Sequence, residues 1–72
     1  MTQRERNRIR RAINVLIEQR AILLARLERI NESLRIVPRG TRARKLLLEA
    51  RVSIREALRL NAEAIRLLRS VL

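Results

Sequence analysis

The chain has 72 residues and a formal net charge of +11, and it contains no cysteine, no histidine and no aromatic residue. These absences exclude disulfide bonds, thiolate metal sites and histidine chemistry, so we predict no cofactor and no enzymatic activity. A chain this short buries little surface when it folds alone, so we expect other chains to supply part of its stability. Polar residues interrupt the longest apolar stretch, residues 12–27, and the N-terminus lacks an apolar run, so we predict neither a membrane span nor a signal peptide.

The first predicted element is a long helix over about residues 3–37. Its apolar residues recur at alternating steps of three and four, which is the spacing of a coiled-coil seam. The seam positions are Ile9, Ile13, Leu16, Arg20, Leu23, Leu27, Ile30 and Leu34, of which only Arg20 is polar. Thr2 is placed to cap this helix, and Glu5 three residues later completes a capping box. Pro38 ends the helix, because it has no backbone N–H to donate.

A short connection over about residues 38–41 follows and holds the only proline and the only glycine of the chain. Connections this short make neighbouring helices antiparallel. Thr41, directly after Gly40, is placed to cap the next helix. Two other interpretations stay open, since VPRG resembles a thrombin cleavage sequence and the loop is basic. We favour the turn, because a tight turn is a poor protease substrate and one glycine does not make a phosphate cradle.

The second predicted helix covers about residues 42–71 and repeats the seam. Its seam positions are Leu47, Ala50, Ile54, Ala57, Asn61, Ala64, Leu68 and Val71. Alanine recurs there every seven residues, which allows two backbones to approach closely. Glu49, Glu56 and Glu63 also recur every seven residues, beside basic residues at helical ion-pair spacing, and predict a solvated row.

The apolar faces of both helices are wider than one partner helix covers. In helix 1 the seam is flanked by Ile17 and Leu24 on one side and by Val15, Ile22 and Ile36 on the other. In helix 2 the flanks are Leu46, Leu60 and Leu67 on one side and Leu58, Ile65 and Leu72 on the other. These arcs span roughly 200°, whereas an ordinary surface helix has a stripe of roughly 100°.

We therefore predict an all-α fold, an antiparallel helix-loop-helix hairpin that assembles with itself into a symmetric coiled-coil-like bundle or barrel. Three or more hairpins are favoured over a dimer, with helix 2 as the inner helix. The predicted interface and core residues are Ile13, Leu16, Leu23, Leu27, Leu47, Ala50, Ile54, Ala57, Leu58, Ala64, Ile65 and Leu68.

Four polar residues fall among these apolar positions: Gln19, Arg20, Ser53 and Asn61. In the predicted hairpin Asn61 lies level with Gln19, and Ser53 lies level with Arg26. A buried amide that is hydrogen-bonded can fix the register and the oligomeric state of a helical assembly. The alternative is that these residues lie at a wet rim or line a central lumen.

The matched helices, the short loop and the core of Leu, Ile, Val and Ala resemble those of computationally designed helical-hairpin homo-oligomers. Asn61, within RLNAEAIRLLRSVL, resembles the buried polar network residues of that class. The resemblance implies a symmetric bundle of paired helices with no enzymatic activity and no natural compartment. This chain departs from the class in its arginine-based charge and in the width of its apolar faces, which favours a ring-like barrel.

Two basic clusters predict an alternative function, a module that binds nucleic acid or another polyanion. One cluster, near the N-terminus, includes Arg4, Arg8 and Arg11, and the other, around the loop, includes Arg39, Arg42, Arg44 and Lys45. Such clusters supply affinity for phosphate that is independent of sequence. Because there are no aromatic residues to stack on bases and no reading motif, we expect only non-specific binding at low salt. The absence of Trp and Phe also argues against a helix lying on a membrane surface.

Overall fold

The computed structural model describes residues 1–72. The chain forms two helices, α1 (Gln3–Ile36) and α2 (Arg42–Ser70), and no strand. The two helices pack against each other along the hairpin, which confirms the predicted all-α helical hairpin. The molecule is a rod of 55 × 14 × 13 Å with a radius of gyration of 16.6 Å. A compact domain of the same length would have a radius of gyration of about 11 Å.

The capping box predicted at the start of α1 is present. The Thr2 side-chain oxygen accepts a hydrogen bond from the Glu5 backbone N–H at 3.2 Å, and Glu5 Oε1 accepts one from the Thr2 backbone N–H at 2.9 Å. These bonds occupy N–H groups that have no partner within the helix. Hydrogen bonds with the Thr2 backbone and side chain lower the pKa of the Glu5 carboxyl below its ordinary value, and the bond from the Thr2 backbone has the larger effect.

The connection between the helices is a tight turn, as predicted. Thr41 caps α2, because its hydroxyl oxygen accepts a hydrogen bond from the Arg44 backbone N–H at 3.2 Å. The same hydroxyl donates to the Pro38 carbonyl at 2.8 Å, which ties the cap back to the end of α1. Gly40 has a φ of 80°, in the left-handed region that side chains disfavour. The proline and the glycine therefore serve the turn.

Few side chains are buried between the two helices. Only Ile13, Leu34, Asn61 and Ile65 are buried, and the other seam residues are half-buried except Val71, which is exposed beyond the end of α2. The accessible surface is 5811 Å². A compact monomer of this mass exposes about 4,700 Å², so the hairpin exposes roughly a quarter more. Two helices of this length bury one strip each and leave the rest of their surface in water.

We expect Gly40→Ala to lower the free energy of unfolding by about 1–2 kcal/mol, because alanine at positive φ brings its Cβ too close to the next carbonyl oxygen. No atom lies within 4 Å of the added Cβ, so the loss reports backbone strain alone. Chemical denaturation at a fixed protein concentration measures it. Gly40→Asn is the matched control and should lose less, because asparagine tolerates this conformation. An alanine variant as stable as the parent would contradict the role of the positive φ.

Candidate interaction surfaces

Large apolar side chains remain in contact with solvent along both helices. The exposed ones within the helices are Val15, Ile17, Ile22, Leu24, Ile36, Leu46, Leu48, Val52, Leu60 and Leu67. Of the two apolar flanks of α2, the helix α1 covers the one that contains Leu58 and Ile65. It leaves the other flank about half exposed, with Leu60 at 53% and Leu67 at 50%. One partner helix thus covers a single flank, as the width of the apolar arc predicts.

The hydrogen bond between Arg51 Nη1 and Asn31 Oδ1, at 3.4 Å, fixes which flanks share a side of the hairpin. Arg51 lies seven residues before Leu58 on the covered flank of α2, and Asn31 lies seven residues after Leu24 on α1. Residues seven apart lie along one face of a helix. Ile17 and Leu24 therefore lie on the same side of the hairpin as Leu58 and Ile65. The exposed residues Leu46, Leu60 and Leu67, which we call the leucine row, lie on the opposite side.

A groove of about 290 Å³ opens between the helices on the side that carries Ile17. We call it the arginine-bordered groove, and its lining residues are Ile17, Arg20, Ala62, Ile65 and Arg69. Its walls are apolar, with Ile17 exposed by 43%. Arg20 Nη1 donates one hydrogen bond, to the Leu58 carbonyl at 3.4 Å. A guanidinium has five N–H donors, so most of the Arg20 donors are free to face a ligand or partner.

The leucine row is bordered by carboxylates. Glu49 lies three residues after Leu46, and Glu63 lies three residues after Leu60, so each pair shares a helix face. Arg59 holds Glu56 at 2.6 Å and Glu63 at 3.7 Å, and a further pair joins Arg66 to Glu63 at 3.4 Å. The hydrogen bond from Arg59 lowers the pKa of Glu56. All these groups are exposed, so the pairs contribute little to stability.

The four predicted polar residues differ in how deeply the hairpin buries them. Asn61 is buried, with 4% of its surface exposed. Its Nδ2 donates to the Leu16 carbonyl at 2.8 Å and to Gln19 Oε1 at 3.4 Å, whereas its buried Oδ1 accepts no hydrogen bond. Arg20 is half-buried, and Gln19 and Ser53 are exposed. Ser53 lies on the flank of α2 that α1 leaves uncovered, so within one hairpin it is not part of the hydrogen bonds of Asn61.

Arg44 has a structural role that the sequence analysis missed. Its Nη1 donates to the Leu34 carbonyl at 2.7 Å and to the Val37 carbonyl at 3.2 Å, where α1 has run out of N–H partners. From the sequence, Arg44 is assigned only to a basic cluster, and Arg51 is not singled out. The seven-residue spacing places both in line with Leu58 and Ile65, but only the structure shows that this flank packs against α1.

The remaining predicted basic residues lie at opposite ends of the rod. Arg39, Arg42 and Lys45 line a shallow cleft of about 670 Å³ around Gly40 and Thr41. At the other end, Arg4, Arg8, Arg11 and Asn7 line a second cleft, of about 460 Å³. No group of three or more metal-ligating side chains is assembled. Neither helix combines the length and the apolar character needed to cross a bilayer.

Comparison of the chain with protein-family models, curated proteins and solved structures returned no match. A proposal for the function of this chain therefore rests on its own exposed surfaces.

We expect Asn61→Leu to raise the thermal midpoint, because it replaces an amide with a buried, unpaired acceptor by an apolar side chain of similar size. Asn61→Ala is the matched control and should lower the midpoint, since it removes the same amide and leaves a cavity. Thermal denaturation followed by circular dichroism distinguishes them. We also expect the leucine variant to populate several oligomeric states, because an apolar layer packs equally well in several arrangements. A leucine variant that melts lower than the parent would contradict this account.

Proposed function

We propose that the protein is a self-assembling structural module that forms a symmetric homo-oligomer of at least three hairpins. The supporting observation is the size of the uncovered surface. The hairpin exposes 5811 Å², about 1,100 Å² more than a compact monomer of its mass. A stable protein interface buries about 800 Å² per partner. The excess is thus of the size that association with other chains removes.

The position of the exposed residues favours more than two copies. Apolar residues remain uncovered on two sides of the hairpin, with Ile17 and Leu24 on one side and the leucine row on the other. A two-hairpin, four-helix bundle covers mainly the seams and one flank of each helix. A ring or barrel covers both sides of every hairpin. With the leucine row on α2, that helix is the inner one in such an assembly.

The partner proposed is a second copy of the same chain, with no membrane and no cofactor involved. This proposal is supported by the size of the exposed area and by its position on two sides of the hairpin. It does not depend on the resemblance to designed hairpin oligomers, which stays a prediction.

Binding of polyanions is the second candidate function, and the two arginine-lined end clefts favour it. Each cleft gathers at least three basic side chains within one or two helical turns, which is the arrangement that attracts phosphate groups. The two candidates differ in the sign of their salt dependence. Phosphate binding weakens steeply as salt rises, because released counterions supply most of its free energy. Apolar association between hairpins of charge +11 persists, because salt screens their mutual repulsion.

We expect sedimentation velocity to show an oligomer whose dissociation constant at about 0.5 M NaCl is no higher than at about 0.1 M, because the Debye length falls below 10 Å over this range. Binding of duplex DNA in the same buffers should be lost over that range. An oligomer that forms only when a polyanion is present, and that dissociates as salt rises, would indicate copies bridged by that polyanion. Tight DNA binding at high salt would likewise favour the second candidate.

We further expect Leu60→Gln to weaken association, because it places an amide in the leucine row. Val52→Gln is the matched control, since Val52 lies on the same helix, is 67% exposed and stands outside the row. The loss for Leu60→Gln should be at least tenfold in the dissociation constant, which corresponds to about 1.4 kcal/mol. Equal effects of the two substitutions would argue that the leucine row is not an interface.

A further inference from the structure

The two borders of α2 differ in the charged residues they carry. All three acids of α2, Glu49, Glu56 and Glu63, border the leucine row. The opposite border of α2 carries no acid and is lined by four arginines, Arg44, Arg51, Arg55 and Arg69. Arg55 and Arg69 stand seven residues on either side of Ala62, so they lie in line with the wall of the arginine-bordered groove. The helix α2 thus carries all its acids along one edge, two of them paired with Arg59 and Arg66, and only arginines as charged residues along the other edge.

From this asymmetry, and on the basis of the proposed self-association, we propose that the hairpins associate head to tail. The leucine row of one copy packs into the arginine-bordered groove of the next copy. Leucines that are about half exposed then meet the apolar groove walls formed by Ile17, Ala62 and Ile65. The carboxylates beside the row meet the guanidinium groups that border the groove. Glu49 forms no ion pair within its own chain, so it is the acid free to pair with an arginine of the neighbour.

A symmetric pairing of identical sides is unfavourable for the same reason. Two grooves placed face to face oppose arginine to arginine, and two leucine rows placed face to face keep Glu49, which has no ion pair in its own chain, away from the groove arginines. Like charges brought together across an interface cost several kcal/mol. A two-fold dimer requires a self-complementary patch, whereas a contact between two different patches generates a ring when it closes. Ring closure leaves no row and no groove uncovered, and it requires at least three copies.

Charge reversal at the groove border tests the direction of packing. Arg55→Glu with Arg69→Glu suits this purpose, because both side chains are exposed and make no hydrogen bond or ion pair in the hairpin. The two changes place acids opposite the acidic edge of the neighbour. We expect the dissociation constant, measured by light scattering at about 0.1 M salt, to rise at least about 100-fold.

The matched control, measured without nucleic acid, is Arg4→Glu with Arg11→Glu, two exposed arginines that line the N-terminal cleft and lie away from the leucine row and the groove. Each double variant lowers the net charge from +11 by two units per substitution, to +7. Reduced self-repulsion by itself tightens association, so the control should associate at least as tightly as the parent. A loss of assembly in the groove variant alone is therefore opposite in sign to any effect of net charge.

A second double variant distinguishes a loss of assembly from a loss of folding. Glu49→Arg with Glu63→Arg makes the border of the leucine row basic, and it should also fail to assemble alone. Mixing it with the groove variant should restore an assembly that contains both chains, because each row then meets a groove of opposite charge. Restoration on mixing shows that neither variant had lost its fold.

The outcomes separate the two proposals. If the groove variant keeps the mass of an oligomeric parent, or if the control dissociates equally, head-to-tail packing is overturned while self-association stands. A mixture that stays dissociated also overturns head-to-tail packing. If the parent itself is a single hairpin, self-association is overturned.

Discussion

Two helices packed side by side can each bury only one strip of their surface, and this limit governs the whole molecule. The chain is apolar over arcs much wider than one strip, so forming the hairpin leaves leucine, isoleucine and valine in water. The burial pattern shows the limit directly, since only four residues of the chain are buried. The apolar side chains that the fold leaves uncovered form the surface on which the proposed function rests.

The polar contacts between the helices reinforce this division. Arg20, Arg44 and Arg51 each reach across the hairpin to an oxygen on the other helix, and none of them pairs with a carboxylate. Their long apolar stems cover part of the covered flank while their charged ends stay near water. The acids of α2 are found on the other side of the helix. The helix that packs against α1 therefore has arginines on its covered border and its acids, two of them in ion pairs, on the opposite border.

The sequence predicted the hairpin well because its strongest local signals agree with one another. The alternating steps of three and four residues, the cap at Thr2, and the Pro38 and Gly40 pair all indicate two long helices and one tight turn, and the structure has them. The residues that are most buried include the seam positions Ile13, Leu34 and Asn61.

The side of α2 that turns toward α1 was not predictable from spacing alone. Leu46, Leu60 and Leu67 are as apolar as Leu58 and Ile65, so hydrophobic periodicity treats the two flanks alike. In the structure, the flank that packs inward is the one whose arginines, Arg44 and Arg51, donate hydrogen bonds to oxygens on α1. Ser53 lies on the uncovered flank and is exposed in the single hairpin. Leu72, which follows the end of α2, stays 42% exposed although it shares the covered flank.

The central claim is that copies of the chain cover each other's apolar surfaces, and the native mass in solution tests it most directly. Light scattering on a size-exclusion column should give a single species of at least three times 8.5 kDa. A clean dimer would replace the ring with a four-helix bundle. A mass of one chain, stable across protein concentrations, would contradict the account.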